Sequence, residues 1–241
     1  MGLPAPRPDW ALFFDIDGTL IELAPTPEAV IVPAALRADL AALHRALGAV
    51  ALVSGRSLSS IDALFHPIVL PASGQHGAES RLDGQTLAAA PLTALRAILA
   101  PLREFAQRHP GVVVEDKGSS VAIHYRTAPT LADEVAATTH SLIADRGELE
   151  ALSSKMAVDI KPRSASKGVA IDWFMTQPPF AGRVPVFAGD DRTDEAGFAA
   201  VNQRGGLSIR VGERAASAAQ YSLDSPAAVR EWIAGLVRYY T

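Results

Sequence analysis

Residues 10–20 read WALFFDIDGTL, in which an apolar run stops at two carboxylates and continues into a glycine and a threonine. Such a run is typical of a buried strand that delivers acids to the edge of a sheet. Because alternate residues of a strand face the same side, Asp15 and Asp17 are expected to converge if the strand stays regular. Two carboxylates this close repel each other unless one is protonated or a cation lies between them. A Mg²⁺ site with room for a phosphate oxygen suits the pair, and a plain turn after a strand is the alternative.

The composition is that of an ordinary globular protein. The chain has 241 residues, of which 49% are hydrophobic and 20% charged, and a net charge of −4. This balance gives no basic footprint for nucleic acid. The absence of cysteine excludes disulfides and thiolate metal sites and fits a reducing compartment.

Localisation and assembly are also constrained by the sequence. Apolar runs such as 47–53 are far shorter than the ~20 residues of a membrane span, and residues 1–6 lack the pattern of a secretory signal. We therefore expect a cytoplasmic protein with no membrane or nucleic-acid partner. A monomer is compatible with the sequence, which specifies no oligomeric state.

Predicted strands and helices alternate on either side of residues 10–20. Four leucines from Leu36 to Leu47 recur at helical spacing and predict a helix that Gly48 ends. Strands are predicted at 49–53 and 68–70, with Ser57 capping a short helix between them. After residue 167, helices are predicted at 168–175, at 193–200 and from 226, and strands at 184–188 and 207–211. This alternation is typical of a Rossmann-like parallel sheet, whose ligands bind at the carboxyl ends of the strands.

The segment between these halves has a different pattern. Residues 92–161 predict a helix, a hairpin of 112–115 with 121–125, a second helix at 131–144 and a strand at 156–160. This antiparallel αββαβ unit is large enough to be a small domain. The predicted fold is therefore an α/β core, residues 1–91 and 162–241, interrupted by an α+β cap at 92–161.

Polar residues end the predicted core strands or begin a core helix at four places. These are Asp15 with Asp17, Ser54, Lys167, and Asp190 with Asp191. In a parallel sheet all four places share one edge. Their chemistry suits phosphoryl transfer to a carboxylate.

Each of these residues has a predicted role. Asp15 would attack phosphorus in line and form an aspartyl phosphate. Asp17 would protonate the leaving sugar oxygen and later accept a proton from water. Ser54 and Lys167 would hold the phosphate oxygens.

Three further residues at this edge are candidate substrate contacts, namely Gly18, Thr19 and Arg56. Arg56 follows Ser54 and would bind phosphate or contact the cap, and a surface ion pair is the alternative.

The acids also predict a Mg²⁺ site. The expected protein ligands are a carboxylate oxygen of Asp15, the backbone carbonyl of Asp17, and Asp190. Asp191 or Asp194 is expected in the coordination sphere or directly behind it.

The order of these motifs resembles the haloacid-dehalogenase superfamily of phosphohydrolases. Its four motifs are matched by DIDGT at 15–19, by Ser54, by Lys167, and by GDD at 189–191 with Asp194. Each motif alone has modest specificity, whereas all four in order on an alternating α/β pattern form a strong signature.

Further segments look like the family of trehalose-6-phosphate phosphatases. They are VSGR (53–56), HGAE (76–79), VEDKG (114–118), IHYR (123–126), IKPR (160–163) and FAGDDRTDE (187–195). The resemblance runs from about Trp10 to Trp232. It implies Mg²⁺-dependent hydrolysis of trehalose 6-phosphate, a step of trehalose biosynthesis, and a cap that binds the distal glucose.

In that family the cap binds glucose through a Glu, a Lys and a second acid. Glu115 and Lys117 match the first two, and Asp159 stands where the family usually has Glu. A disaccharide needs fixed acceptors and donors for its hydroxyls, whereas a solvated hairpin end is the alternative for residues 115–117. The shorter Asp159 loses a methylene of reach, which a bridging water could fill.

Two other functions are compatible with parts of this pattern. One is a phosphatase of the same superfamily that acts on another sugar phosphate. The other is a receiver-type signalling module, which also groups a phospho-accepting Asp, further acids, a hydroxyl and a Lys on an α/β sheet. Asp17 and the inserted domain favour a hydrolase.

Overall fold

The computed structural model describes residues 2–24, 29–88, 93–154, 156–213 and 216–241. The chain divides into two compact units. Met1–Thr86 and Ser166–Thr241 form the core unit, and Leu87–Ala165 forms the inserted unit. The predicted cap boundary between residues 91 and 92 lies outside the described residues.

The strands and helices of the described residues follow the order expected of an interrupted α/β protein. In chain order the strands are β1 (Trp10–Phe14), β2 (Val50–Val53), β3 (Ala72–Gly74), β4 (Glu79–Leu82), β5 (Gln85–Ala88), β6 (Val113–Asp116), β7 (Val121–His124), β8 (Leu149–Ser154), β9 (Ala157–Pro162), β10 (Val184–Gly189), β11 (Leu207–Val211) and β12 (Tyr221–Leu223). The α-helices are α1 (Ala34–Leu47), α2 (Leu58–Phe65), α3 (Thr93–Arg108), α4 (Ala132–Ile143), α5 (Lys167–Phe174), α6 (Glu195–Gln203) and α7 (Pro226–Tyr240). None of these helices combines the length and apolar character needed to cross a membrane.

The core sheet places β1 at its centre. Its strand order is β12-β11-β10-β1-β2-β3-β4-β5, and β1 runs parallel to both neighbours, with Phe14 opposite Ala188 of β10 and Leu52 of β2. This confirms the predicted α/β class with a parallel sheet. Because the strands are in this register, the residues that follow β1, β2 and β10 emerge at one edge.

Helices cover both faces of β1, which explains its uninterrupted apolar sequence. Leu12 and Phe14 pack on one side with the leucines of α1. Phe13 packs on the other side with Phe174 of α5. β1 is therefore packed on both faces up to the residue before Asp15.

The residues predicted to begin and end two helices are confirmed in these positions. Gly48 ends α1 with a φ of 72°, a conformation that glycine adopts without strain. The Ser57 side chain accepts a hydrogen bond from the Ser60 backbone N–H and caps α2.

The prediction of a strand at 68–70 is wrong, because the third strand is β3, residues 72–74. Pro67 and Pro71 flank the predicted strand and lack the N–H that a ladder requires. Val69 is exposed, at 64% of its surface. An apolar triplet alone does not distinguish a strand from an extended loop.

Strands β4, β5 and β12 were not predicted. Between β4 and β5, Asp83 and Gly84 both adopt positive φ, as a two-residue hairpin turn requires. The Asp83-Gly84 dipeptide is the sequence feature that could have predicted this hairpin.

The inserted unit is an antiparallel sheet with two helices. Its strand order is β6-β7-β9-β8, so the predicted αββαβ order was wrong in lacking β8. Val121, Ile123, Val158 and Ile160 pack on one face with apolar residues of α3 and α4. The opposite face carries polar residues, because Ala122 pairs with both Glu115 and Asp159.

Candidate active site

Asp15 and Lys167 form a buried ion pair at the carboxyl edge of the core sheet. Asp15 Oδ1 lies 2.8 Å from Lys167 Nζ, and the two side chains are 5% and 3% exposed. Lys167 is the first residue of α5, which Ser166 caps by accepting a hydrogen bond from the Val169 N–H. The same ammonium lies 2.7 Å from Asp194 Oδ1. The structure thus joins three residues that are far apart in sequence.

The loop after β10 is organised by Asp194. Its Oδ2 accepts hydrogen bonds from the backbone N–H groups of Asp190 and Asp191, at 2.9 and 3.0 Å. Asp191 in turn accepts from the Thr193 N–H and hydroxyl, both at 2.7 Å. Since both oxygens of Asp194 have donors, this side chain shapes the loop.

Three of the acids converge. One carboxylate oxygen from each of Asp15, Asp190 and Asp194 lies within 4.8 Å of the other two. Oxygen donors grouped in this way are what a hard divalent cation requires.

The charge balance of this cluster also favours a cation. Burial, with help from Asp190 and Asp191, outweighs Lys167 and raises the pKa of Asp15 to about 7. Burial likewise raises the pKa of Asp194 to about 8. Burial alone would lower the pKa of Lys167, but Asp15 and Asp194 hold it above its usual value. Asp15 and Asp194 are therefore difficult to ionise together without further positive charge beside them, which a bound cation would supply.

The pKa of Asp191 shifts in the other direction. Burial opposes its ionisation, but Lys167 and the hydrogen bonds from Thr193 together lower its pKa. Asp191 therefore stays ionised while it accepts those bonds.

Gly18 allows the loop after β1 to approach Asp190. It has a φ of 83°, and a Cβ at this position would lie 2.1 Å from Asp190 Oδ2. The next residue, Thr19, is buried, and its hydroxyl lies 3.5 Å from Asp15 Oδ2. Gly18 and Thr19 therefore lie at the site.

Asp17 has different surroundings from Asp15. Regular pairing of β1 ends at Phe14, and Asp17 is bound by Arg56, whose Nε and Nη2 lie 2.6 and 2.7 Å from its two carboxylate oxygens. Ser54 is 1% exposed, and its Oγ accepts from the Arg56 N–H at 3.2 Å. Arg56 thus connects Ser54 with Asp17.

On the polar face of the inserted unit, Glu115, Lys117 and Asp159 lie together. Lys117 Nζ is 3.3 Å from Asp159 Oδ1 and 4.0 Å from Glu115 Oε2. His124 Nε2 lies 2.9 Å from the same Glu115 oxygen, a contact that sequence analysis did not identify. The hairpin register could have indicated this contact: Glu115 pairs with Ala122, so His124 is its diagonal neighbour on the same face.

The core sheet carries its acid cluster at one edge, and the fold is similar to that of a solved phosphatase of the haloalkanoate superfamily from Bacteroides thetaiotaomicron, with a TM-score of 0.66 at 15% identity, covering 97% of each chain. The family model for trehalose-phosphatase matches residues 13–227. The chain belongs to the trehalose-phosphatase family, which consists of phosphoric monoester hydrolases.

Individual relatives agree with this family. The chain is 47% identical over 232 residues to a probable trehalose-phosphate phosphatase of Sinorhizobium fredii, covering 95% of this chain and 88% of the relative. It is 43% identical over 212 residues to the trehalose-6-phosphate phosphatase of Escherichia coli, covering 87% and 80%. The solved C-terminal domain of the C. albicans trehalose-6-phosphate phosphatase has a TM-score of 0.84 at 20% identity, covering 96% of this chain and 93% of that one. At 20% identity, this last similarity supports the fold of the chain and nothing more.

Proposed function

We propose that the protein hydrolyses trehalose 6-phosphate to trehalose and phosphate, with Asp15 as the nucleophile and Mg²⁺ as the cofactor. The observation that carries the proposal is the cluster of the buried Asp15, Lys167 and Asp194 with the half-buried Asp190. Family membership and the names of the two bacterial relatives support trehalose 6-phosphate as the substrate. They favour this substrate over another sugar phosphate, and an enzyme over a receiver-type module.

The acid cluster fits Mg²⁺. Oxygens of Asp15 and Asp190 are close enough to share an ion, and the lack of a side chain at Gly18 leaves space beside Asp190. We assign these two carboxylates and the Asp17 carbonyl to the ion, with Asp191 and Asp194 holding the loop. When bound, Mg²⁺ supplies the positive charge that reduces repulsion between the nucleophile and the phosphate.

In the first step, Asp15 attacks phosphorus. Lys167 holds Asp15 Oδ1, so Oδ2 is the oxygen that forms the new bond. The bond between phosphorus and the sugar oxygen breaks, and Asp17 donates its proton to that oxygen. Lys167 and the Ser54 hydroxyl bind the remaining phosphate oxygens, where negative charge is concentrated.

In the second step, water attacks the aspartyl phosphate. Asp17 has lost its proton in the first step and now accepts one from the water. The bond between Asp15 and phosphorus breaks, so phosphate leaves and both acids return to their starting states. Arg56 orients the ionised Asp17 of the second step through two hydrogen bonds, and in the first step it holds Asp17 through the oxygen that carries no proton.

The polar face of the inserted unit binds the sugar. Glu115 and Asp159 provide acceptors for sugar hydroxyls, and Lys117 provides a donor. Lys117 and Asp159 are nearly buried, with side chains 13% and 8% exposed. A ligand that leaves such groups without partners binds poorly.

The proposal is tested with a panel of phosphate esters assayed with and without Mg²⁺. The panel contains trehalose 6-phosphate, sucrose 6-phosphate, glucose 6-phosphate and p-nitrophenyl phosphate. We expect the highest kcat/KM for trehalose 6-phosphate, loss of activity in EDTA and recovery on adding Mg²⁺. Preference for another sugar phosphate would overturn the substrate, and full activity in EDTA would overturn the cofactor.

The nucleophile is tested with Asp15→Asn, which keeps the shape of the side chain and removes its charge. Activity should fall by at least roughly 10⁴-fold. The matched control is Asp172→Asn, which alters an exposed acid paired with Arg204 and should leave activity unchanged. Wild-type turnover by Asp15→Asn would contradict the mechanism.

A further inference from the structure

Arg210 reaches the acid loop from the neighbouring strand. In β11 it pairs with Gly189 of β10, the residue directly before Asp190. Its Nη1 donates to the backbone carbonyl of Asp191 at 3.3 Å and lies 3.5 Å from Glu195 Oε1. With a side chain 14% exposed, Arg210 is well placed to hold this loop.

The carbonyl that Arg210 contacts lies inside the hydrogen-bonded turn of the loop. It also accepts from the Asp194 N–H at 3.3 Å, and the Asp194 carboxylate accepts from the Asp191 N–H. Glu195, the other partner of Arg210, accepts from the Ala218 N–H at 2.8 Å. Arg210 therefore connects the turn to α6 and to a third segment of the core.

A cavity of about 430 Å³ lies beside this contact. Arg210, Gly18 and Asp190 line it together with Glu22 and Glu213. Without the guanidinium, the Asp191 carbonyl would keep the bond from the Asp194 N–H but lose the donor that ties the loop to β11. A smaller side chain would cause no collision beside this cavity, but it would also remove the ion pair with Glu195, so the stability of the fold has to be measured together with Mg²⁺ binding.

We propose that Arg210 is a positioning residue for the cation site: by fixing the Asp191 carbonyl it holds the loop so that Asp190 presents its carboxylate to Mg²⁺. This inference rests on the Mg²⁺ site of the proposed function. Residues that orient a metal ligand typically change affinity about 10- to 100-fold when replaced.

The direction in which the Mg²⁺ Kd changes distinguishes a positioning role of Arg210 from a purely electrostatic one. A guanidinium near the acid cluster repels a cation, so removing its charge would by itself tighten Mg²⁺ binding. Removing the anchor of the loop would weaken binding instead. The two effects therefore predict opposite changes in Kd.

The test measures the Mg²⁺ Kd of the substrate-free full chain by titration calorimetry. For Arg210→Met we expect a Kd raised about tenfold or more, with kcat recovering at saturating Mg²⁺. Arg210→Lys keeps the charge and one donor, and should fall between the wild type and Arg210→Met. The matched control is Arg204→Met, which removes an arginine paired with Asp172 and should bind Mg²⁺ like the wild type.

Two reference measurements make each outcome decisive. Thermal unfolding in EDTA should be similar for both methionine variants, which separates positioning from a loss of folding. Asp190→Asn should abolish the Mg²⁺ signal, and failure of this variant would contradict the proposed metal site itself. If Asp190→Asn behaves as expected but Arg210→Met binds Mg²⁺ as well as or better than the wild type, the inference about Arg210 is wrong.

Discussion

Arg56 donates two hydrogen bonds to Asp17, at 2.6 and 2.7 Å, while Asp15, two residues earlier, pairs with Lys167. The two acids of the first motif therefore have separate cationic partners. Asp15 is buried, whereas the Asp17 side chain is 30% exposed. This difference in surroundings suits one acid to nucleophilic attack and the other to proton exchange.

Replacing Arg56 with Lys should lower kcat while leaving the protein folded. A lysine cannot reproduce the planar two-point contact, so Asp17 would lose its orientation, and we expect a decrease of about 10- to 100-fold. The matched control is Arg81→Lys, because Arg81 makes the same kind of contact with Asp62, at 2.6 and 2.7 Å. A fall in kcat of the same size in both variants would remove the case for a role specific to Arg56.

Replacing Asp17 with Asn should separate the two chemical steps. p-Nitrophenolate leaves without needing a proton, so Asp15 can still form the aspartyl phosphate, but water attack becomes slow. Rapid mixing of Asp17→Asn with p-nitrophenyl phosphate should release one equivalent of nitrophenolate in a burst. Asp15→Asn should show none, and a burst in that variant would mean that another group is the nucleophile.

Mg²⁺ should bind more weakly as the pH falls. Burial raises the pKa of Asp15, one of the carboxylates assigned to the ion, to about 7, so at pH 6 this acid holds a proton that the ion must displace. Calorimetry should give a Kd at least about tenfold higher at pH 6 than at pH 8, with proton release visible as a dependence on buffer ionisation enthalpy. A Kd independent of pH would contradict this coupling.

The raised pKa values of Asp15 and Asp194 set the pH dependence of stability without metal. Both acids have a folded pKa above the unfolded value, so their contribution to stability is fully present at low pH. It decreases as the pH rises above the unfolded pKa of about 4, and the loss is complete above the folded values of about 7 and 8. Urea unfolding in EDTA should therefore show a lower midpoint at pH 8.5 than at pH 6, and Mg²⁺ should reduce the difference.

Glu115→Ala should impair the disaccharide substrate more than a small aryl phosphate. Glu115 lies on the polar face with His124 and Lys117, and losing a hydrogen bond to sugar should raise KM for trehalose 6-phosphate about tenfold. The matched control is Glu134→Ala, which alters an exposed acid of α4 in the same unit that lies 3.0 Å from His109 Nε2. Equal losses on both substrates would contradict a sugar-binding role for Glu115.

Gly18→Ala should inactivate the enzyme, unlike Gly48→Ala. Both glycines have positive φ, at 83° and 72°, so each substitution should destabilise the fold by about 1–2 kcal/mol. Only at Gly18 would the added Cβ collide with Asp190, at 2.1 Å, since the nearest atom to a Cβ at Gly48 is 3.5 Å away. Comparison of denaturation midpoints with kcat separates the shared backbone strain from the local collision, and an active Gly18→Ala would show that this close approach is dispensable.

Much of the fold could be predicted from local patterns. Local preferences agree with the tertiary structure in the apolar run of β1, in the leucine spacing of α1 and at the helix ends Ser57 and Gly48. The wrong strand at 68–70 and the missing β8 arose where the pattern was short. A few apolar or polar residues are compatible with a loop as well as with a strand, and pairing decides between them.

The residues of the site could be predicted because a strand that stops at an acid is visible in the sequence. Asp15, Ser54 and Asp190 follow strands, and parallel pairing brings such ends to one edge. Their partners could not be predicted in this way. The pairing of Arg56 with Asp17, and of His124 with Glu115, depends on which rotamers meet after the strands have been registered.

The sequence by itself thus determined the class of fold and the acids at the sheet edge, because both follow from periodicity and from the order of motifs along the chain. Only the tertiary structure decided how those acids differ. Burial raised the pKa of Asp15, the contact with Arg56 oriented Asp17, and Asp194 became the support of the loop. Desolvation and hydrogen-bond geometry are properties of surroundings assembled from distant segments, so no local pattern contains them.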